Sequence, residues 1–592
     1  MKENVIRDEY PRPQFVRNDW LNLNGIWQFA FDDARRGETE RWYMSEVPFD
    51  RQIQVPFCFE SKLSGIGDTS IHDVVWYRRT FALAPFFRGK RTLLHFGAVD
   101  YRASVWVNGI FVGSHEGGHT PFTLDITHTI QDEDNVLTVR AEDDHLDTSL
   151  PRGKQYWKEK SESIFYTRTT GIWQSVWLEP VSTISLQKVM CTPDLDRNRI
   201  ELKVFLRGGR PEKQVKTEFS VTIGIRGQHV TKAVFQLTQE IGSYTVDLND
   251  FHIHQSTHER WWSPHTPNLY DIEYELIQEA ETIDRVSSYF GMRKISIVDG
   301  QIYLNNWPYF MKLVLDQGYH PDGILTFPSD DAIRRDVEMT KAMGFNGARK
   351  HQKVEDPRYL YWCDRLGLLV WGEMANGHDW SDTNSGRFTA EWKSAIDRDY
   401  NHPCIVAWVP INESWGVPNI VSDEREQNYA TSLYYLTKSM DPSRLVVSND
   451  GWEQVKTDLM TIHDYAWNES ILEQRYGSLE TVLSSRPAAR LLLAKGQTYE
   501  GQPIIVSEFG GISYDSNHEE FAINYSAARN EEDLLQRLAA VIRPMLRSPI
   551  VQGFCYTQLT DVEQEVNGLL TYDRKPKLPI EKIREVMEGR PV

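Results

Sequence analysis

The alternation of apolar and polar positions changes character twice along the chain. In the first part the apolar runs are short and two-residue periodic: GIWQFAF, VVWYRRTFAL, RTLLHFGAV, RASVWVNGIFVG and NVLTVRAED, punctuated by Gly, Asp and Asn. That spacing predicts antiparallel strands in a β-sandwich jelly roll over residues 1–182. Over residues 183–293 the runs RIELKVFLRG, EFSVTIGIRG, AVFQLTQ and YDIEYELIQ follow at hairpin spacing. About seven strands in about 110 residues fit an immunoglobulin-like β-sandwich. This stretch carries no recognisable chemistry and reads as a spacer. Over residues 294–592 eight apolar β runs alternate with helical segments such as SDDAIRRDVEMTKAMG, DPRYLYWCDRLG and EEDLLQRLAAVIRPMLR. Eight β/α units predict a (β/α)8 TIM barrel, whose active site forms at the C-terminal ends of its strands.

Composition narrows the partners. The formal charge of −19 repels phosphate backbones, so nucleic acid is not an expected partner. Nineteen tryptophans suit sheet cores, and some suit the walls of a sugar cleft, where indole faces stack on pyranose C–H surfaces. The five cysteines are widely spaced and form no CxxC pair, so neither a disulfide framework nor a zinc site is expected. The first residues hold no apolar signal region and no window is long enough to span a membrane, so a cytoplasmic protein is expected. No nucleotide or haem motif appears, and no cofactor is expected.

The strand ends carry the chemistry. The fourth run ends in Asn412-Glu413-Ser414 and the seventh in Ser507-Glu508-Phe509. Strands four and seven face each other across the mouth of an eight-stranded barrel. Two carboxyls so placed are what glycoside hydrolysis needs, one to attack the anomeric carbon and one to protonate the leaving oxygen. Tyr465, at the end of strand six, is placed to hydrogen-bond Glu508. Arg349, ending strand two, is placed to hold Glu508 ionised, and Asn412 to bind a sugar 2-hydroxyl. A structural ion pair for Arg349 and a plain cleft wall for Tyr465 are the bland alternatives.

At these residues the chain resembles glycoside hydrolase family 2, the β-galactosidase, β-glucuronidase and β-mannosidase family, over nearly its whole length. Asp399-Tyr400-Asn401-His402-Pro403, followed by Trp408 and Asn412-Glu413, is similar to the family's acid/base signature; Val506-Ser507-Glu508-Phe509-Gly510 resembles its nucleophile segment. Trp106-Val107-Asn108-Gly109 and Gly171-Ile172-Trp173 are also family-like. The resemblance implies a retaining mechanism with Glu508 as nucleophile and Glu413 as acid/base, and puts His402 among the substrate-binding candidates. Asp316, Glu373, Asn376, His463 and Tyr556 join them as residues at the ends of strands, Tyr556 where many members have Trp.

Three departures bear on the sugar. Typical members read Arg-x-x-His on strand two; here Gln352 stands in the His position, and His351, displaced by one, is expected to face away. Phe165 replaces an Asp that reaches the sugar in galactosidase- and glucuronidase-type members, leaving Arg168 to reach in. Asn567-Gly568-Leu569 replaces the Asn-x-Lys of glucuronidases. The basic, aromatic loop 151–157 is either a cover for the barrel mouth or a solvated loop. The expected activity is a retaining exo-glycosidase, nominally β-galactosidase-like. The alternatives are another glycone (an α-L-arabinoside or β-glucuronide), an endo-acting barrel hydrolase, and a non-catalytic carbohydrate-binding protein. The expected partner is a carbohydrate, and a homo-oligomer is possible.

Overall fold

A computed structural model describes residues 6–44, 49–212, 214–248, 257–514 and 526–590. Two-residue periodicity builds the first domain. In Gly25–Phe31 the side chains of Trp27 and Phe29 are buried while Ile26 and Gln28 face out. That strand belongs to a six-stranded sheet, which closes on a four-stranded sheet holding Arg91–Phe96 and Val176–Val181. Trp27, Phe29, Tyr77 and Val105 of the first pack against Leu94, Phe96 and Leu178 of the second. In the next domain, Arg199–Arg207 buries Ile200, Leu202, Val204 and Leu206 in strict alternation. It lies in a three-stranded sheet that shares one apolar core with a four-stranded sheet.

The rest is a barrel of eight parallel strands. They are β1 (Met311–Asp316), β2 (Gly347–Lys350), β3 (Leu369–Glu373), β4 (Ile405–Val409), β5 (Leu445–Val446), β6 (Met460–Asp464), β7 (Ile504–Gly510) and β8 (Val551–Thr557). Parallel pairing runs unbroken from β5 through β1 and β8 to β6. The remaining seam is held by single bonds, Asp458 N–H to Val446 O (2.9 Å) and His463 N–H to Gly451 O (3.2 Å). The fourth and fifth runs are shorter than their apolar patterns. Pro410, without an N–H, ends β4, and a separate two-residue pairing of Ile411–Asn412 with Asn449–Asp450 carries the wall to the mouth.

The helices begin where side-chain caps are available. Helix α1 (Asp330–Ala342) is capped by Ser329; α2 (Pro357–Leu366) is capped by Asp356, with Pro at its first position and Gly367 in the left-handed region behind it. Helix α3 (Asp382–Asp399) is capped by Ser381. No helix among the described residues is long and apolar enough to cross a membrane. Eight tryptophans, including Trp173, Trp371 and Trp408, are sealed in cores, whereas Trp157, Trp415 and Trp452 are partly exposed around the mouth.

Candidate active site

Arg349 stands at the centre of the lumen, fully buried. Its Nε donates to Glu373 Oε2 (2.6 Å), one terminal nitrogen lies 2.9 Å from Glu508 Oε1 and 2.7 Å from Asp450 Oδ2, and the other donates to Asn412 Oδ1 (2.6 Å). One guanidinium thus ties together the ends of β2, β3 and β7 and the Ile411–Asn412 and Asn449–Asp450 pairing. The opposing desolvation and Coulomb effects resolve clearly. Burial works against the Asp450 carboxylate, but Arg349 and His463 overcome it and hold Asp450 well below the usual range. Burial pushes the Glu373 carboxyl up, with Arg349 opposing.

Glu508 is fixed through both oxygens, since Tyr465 donates its hydroxyl to Oε2 at 2.6 Å. Glu413 approaches from the opposite wall. His463 lies between the two glutamates, with Nδ1 2.8 Å from Glu413 Oε1 and Nε2 3.0 Å from Asp450 Oδ2 and 3.5 Å from Glu508 Oε1. Burial would strip the imidazole of its proton, yet Glu508 and Asp450 win, and its pKa is pushed up to about 10. His463 is therefore a cation at neutral pH. Carboxylate oxygens of Glu413 and Glu508 and a ring nitrogen of His463 all lie within 4.8 Å of one another. Glu413 and Ser414 have φ of +52° and +62°, a region that non-glycine residues enter at a cost. The turn is held by Glu413 N–H on Asp450 O (2.9 Å), Ser414 N–H on Asn449 Oδ1 (2.9 Å) and Ser414 Oγ on Glu453 (2.8 Å).

The mouth is walled on one side by the jelly roll. Gly153 N–H bonds Asn376 O (3.0 Å), so the loop 151–157 lies over the ends of β2 and β3. Phe165 stacks between Tyr156 and Trp415, at centroid distances of 5.7 and 5.6 Å. Trp157 and His378 complete the aromatic rim.

Comparison with known proteins agrees with this arrangement domain by domain. The profile for "Glycosyl hydrolases family 2, sugar binding domain" matches residues 21–178. Those for "Glycosyl hydrolases family 2" and "Glycosyl hydrolases family 2, TIM barrel domain" match 184–293 and 295–590. The chain belongs to glycosyl hydrolase family 2. It is built as jelly roll, immunoglobulin-like sandwich and barrel. Among its relatives, a putative β-glucuronidase of Formosa agariphila is 28% identical over 62% of this chain and 44% of its own length. A β-galactosidase of Thermoanaerobacter pseudethanolicus is 29% identical over 67% of this chain and 51% of its own. The chain thus spans about half the length of these two curated relatives. The solved Bifidobacterium dentium β-glucuronidase complexed with coumarin-3-O-glucuronide superposes with a TM-score of 0.79 at 20% identity, over 99% of both chains.

Within this family 2 barrel, seven of the residues singled out from sequence come together: Glu413, Glu508, Asn412, Tyr465, Arg349, Glu373 and His463. Asn376 lies just behind them: its backbone N–H donates to Gln352 Oε1 (2.7 Å), and its Oδ1 accepts from Gln352 Nε2 (3.1 Å) and Asn412 N–H (2.9 Å). Four others do not join the lumen. His402 precedes β4, at the far end of the strand from Glu413, where its Nδ1 lies 2.6 Å from Asp364. Arg168 turns into the jelly roll toward Glu60 (3.9 Å) and Ser70 O (3.3 Å). Both oxygens of Asp316 are occupied, by Lys350 Nζ (2.6 Å) and Gly318 N–H (2.8 Å). Tyr556 is sealed against Phe509 and Gly510; the pleat turns its neighbours Cys555 and Thr557 inward instead, and Thr557 Oγ1 lies 3.4 Å from Tyr465.

His351 reverses its expectation. Its ring lies in the site, with Nδ1 3.0 Å from Glu373 and 3.9 Å from Glu508, because it shares parity with Arg349, two residues before. Gln352 is the displaced one, spent on Asn376. His351 stays neutral: burial, then Arg349 and Lys154, hold its pKa well below the usual value. Asp450 binds both cations, Arg349 and His463, which lie far from it in sequence or on another strand.

Proposed function

We propose that this glycoside hydrolase removes a terminal glycosyl residue with retention, through a covalent glycosyl-enzyme on Glu508, Glu413 serving first as acid and then as base. The spacing of the two carboxyls carries the reading. Retention calls for carboxyls about 5–5.5 Å apart, whereas inversion needs about 6.5–9.5 Å to admit a water. Here one oxygen of Glu413 comes within 4.8 Å of one oxygen of Glu508, a closest approach that supports the shorter separation. Glu508 Oε1 or Oε2 attacks the anomeric carbon as the glycosidic bond breaks, and Glu413 gives its proton to the leaving oxygen. Water then returns a proton to Glu413 as its oxygen displaces Glu508. Arg349 and Tyr465, one on each oxygen, keep Glu508 aimed. Asn412 Nδ2, sealed and without a partner among the described residues, is the donor for the sugar 2-hydroxyl.

The jelly-roll loop and the aromatic rim narrow the mouth on one side, which favours exo over endo action. The furnished glutamate pair argues against a binding-only role. For the glycone, a neutral galactose-type sugar and a uronic acid are both consistent with what the relatives are called. Glu508→Gln and Glu413→Gln are each expected to lower kcat by about 10⁴-fold or more on unactivated glycosides. NMR of the first-formed sugar is expected to show the substrate's own anomer. The inverted anomer, or a Glu508→Gln variant with wild-type turnover, would refute the assignment.

A further inference from the structure

The cations beneath and beside the mouth have their partners, with one exception. Arg349 is surrounded as described; Lys350 pairs with Asp316 and Glu355 (2.6 and 2.7 Å). Lys353 binds Glu355 (2.9 Å) and two backbone carbonyls. Arg152 is spent on three carbonyls of the 144–147 turn. Lys154 differs. It is only 7% exposed, yet among the described residues its Nζ makes no ion pair and no hydrogen bond, and only lies over the Trp415 ring, 5.3 Å from its centroid.

The loop is built to deliver this side chain. Gly153, at φ +60°, sits so close to β2 that a Cβ would stand 2.3 Å from Gln352 O, so only glycine lets the chain pass there. The next residue then projects between Trp415, two residues beyond Glu413, and His351, whose ring is 3.9 Å from Glu508. Its field is felt at His351 and at His378. Phe165, stacked between Tyr156 and Trp415, offers no carboxylate to compete for the ammonium. Asn567, in the segment after β8, is taken up by Gln558 (2.6 Å) and Glu565 (3.1 Å). The ammonium has no counter-charge among the described residues; a sugar hydroxyl leaves its charge uncompensated, whereas a carboxylate cancels it.

We propose that Lys154 is the counter-ion for a carboxylate on the substrate's sugar, so that a jelly-roll loop, and not the segment after β8, selects an acidic glycone. This rests on the hydrolase reading above and names its substrate class as a uronide. The test compares 4-nitrophenyl β-D-glucuronide and β-D-galacturonide with the matching glucoside and galactoside, in wild type, Lys154→Met and Lys154→Arg. The wild type is expected to prefer a uronide over its neutral match by at least 10-fold in kcat/KM. Lys154→Met is expected to lower that ratio at least 30-fold, and Lys154→Arg to recover part of it. Raising salt is expected to raise KM for the uronide only. An unchanged ratio in Lys154→Met, or a wild type that prefers neutral sugars, would overturn the proposal while leaving the glutamate mechanism standing. Turnover of no glycoside at all would overturn the hydrolase reading instead. Calorimetric titration of D-glucuronate against D-glucose then decides Lys154 separately, equal binding refuting it. If Lys154→Met does not fold, Lys154→Gln takes its place.

Discussion

At the scale of single residues, Arg349 and His463 are two cations set among four carboxylates. Taking either away leaves buried negative charges facing one another. Arg349→Met keeps the bulk but leaves Glu373, Asp450 and Glu508 uncompensated. It is expected to lose about 3–5 kcal/mol of stability, read as a lower urea midpoint, along with nearly all activity. His463 gives a pH signature. Its pKa, pushed up to about 10 in the fold, lies above the unfolded value of about 6.5, so its contribution is full below about 6.5 and is lost as pH rises through about 10. The wild-type Tm is expected to fall across that window, and that of His463→Gln to fall less. Glu413 and Glu508 were legible in the sequence because each ends a strand inside a distinctive tetrad. His351 was misread because its parity was judged from a relative's pattern instead of from Arg349.

Among the elements, α3 is the helix gripped by both sandwiches. Arg387 binds Glu116 (2.8 Å), Asp147 (2.7 Å) and Ser149 Oγ (2.6 Å) of the jelly roll, and Asp397 meets Lys188 of the immunoglobulin-like domain. Glu391 accepts His119 N–H at 2.6 Å with one oxygen, while the other is sealed without a partner among the described residues. Burial pushes its pKa up to about 8. The folded state therefore holds a proton that the unfolded chain releases near 4.5, and stability falls as pH rises from about 4.5 to about 8. Glu391→Gln is expected to flatten that part of a Tm-against-pH curve and to be more stable than wild type at pH 9. Apolar runs alone could not show where β4 stops, because Val409 and Ile411 both read as strand; Pro410 decides it by lacking a donor.

Over the whole molecule, the candidate pocket belongs to two domains. Besides the loop at Gly153, Tyr166 of the jelly roll bonds Glu565 behind β8, Gln564 donates to Ser163 O (2.7 Å) and Phe165 O (2.9 Å), and Thr326 donates to Trp173 O (2.6 Å). Residues 294–592 expressed alone are expected to keep the glutamates but lose kcat/KM by at least about 100-fold, because a misplaced or missing wall costs orientation. Full activity from the isolated barrel, measured on a nitrophenyl glycoside, would contradict this. The domain order was readable because each domain has its own period. The shared wall was not: a basic, aromatic loop looks alike whether it is solvated or docked, and only its contacts across some 200 residues of sequence separate the two.

The backbone at Glu413 has a consequence for anyone seeking a hardier protein. At φ +52° glycine is the residue that the conformation itself prefers. Glu413→Gly would relieve that strain, worth about 1 kcal/mol or more, while removing the proposed acid/base. Selection for heat resistance alone would be drawn toward the very position the chemistry requires. Only a screen that demands turnover at every round keeps the acid in place.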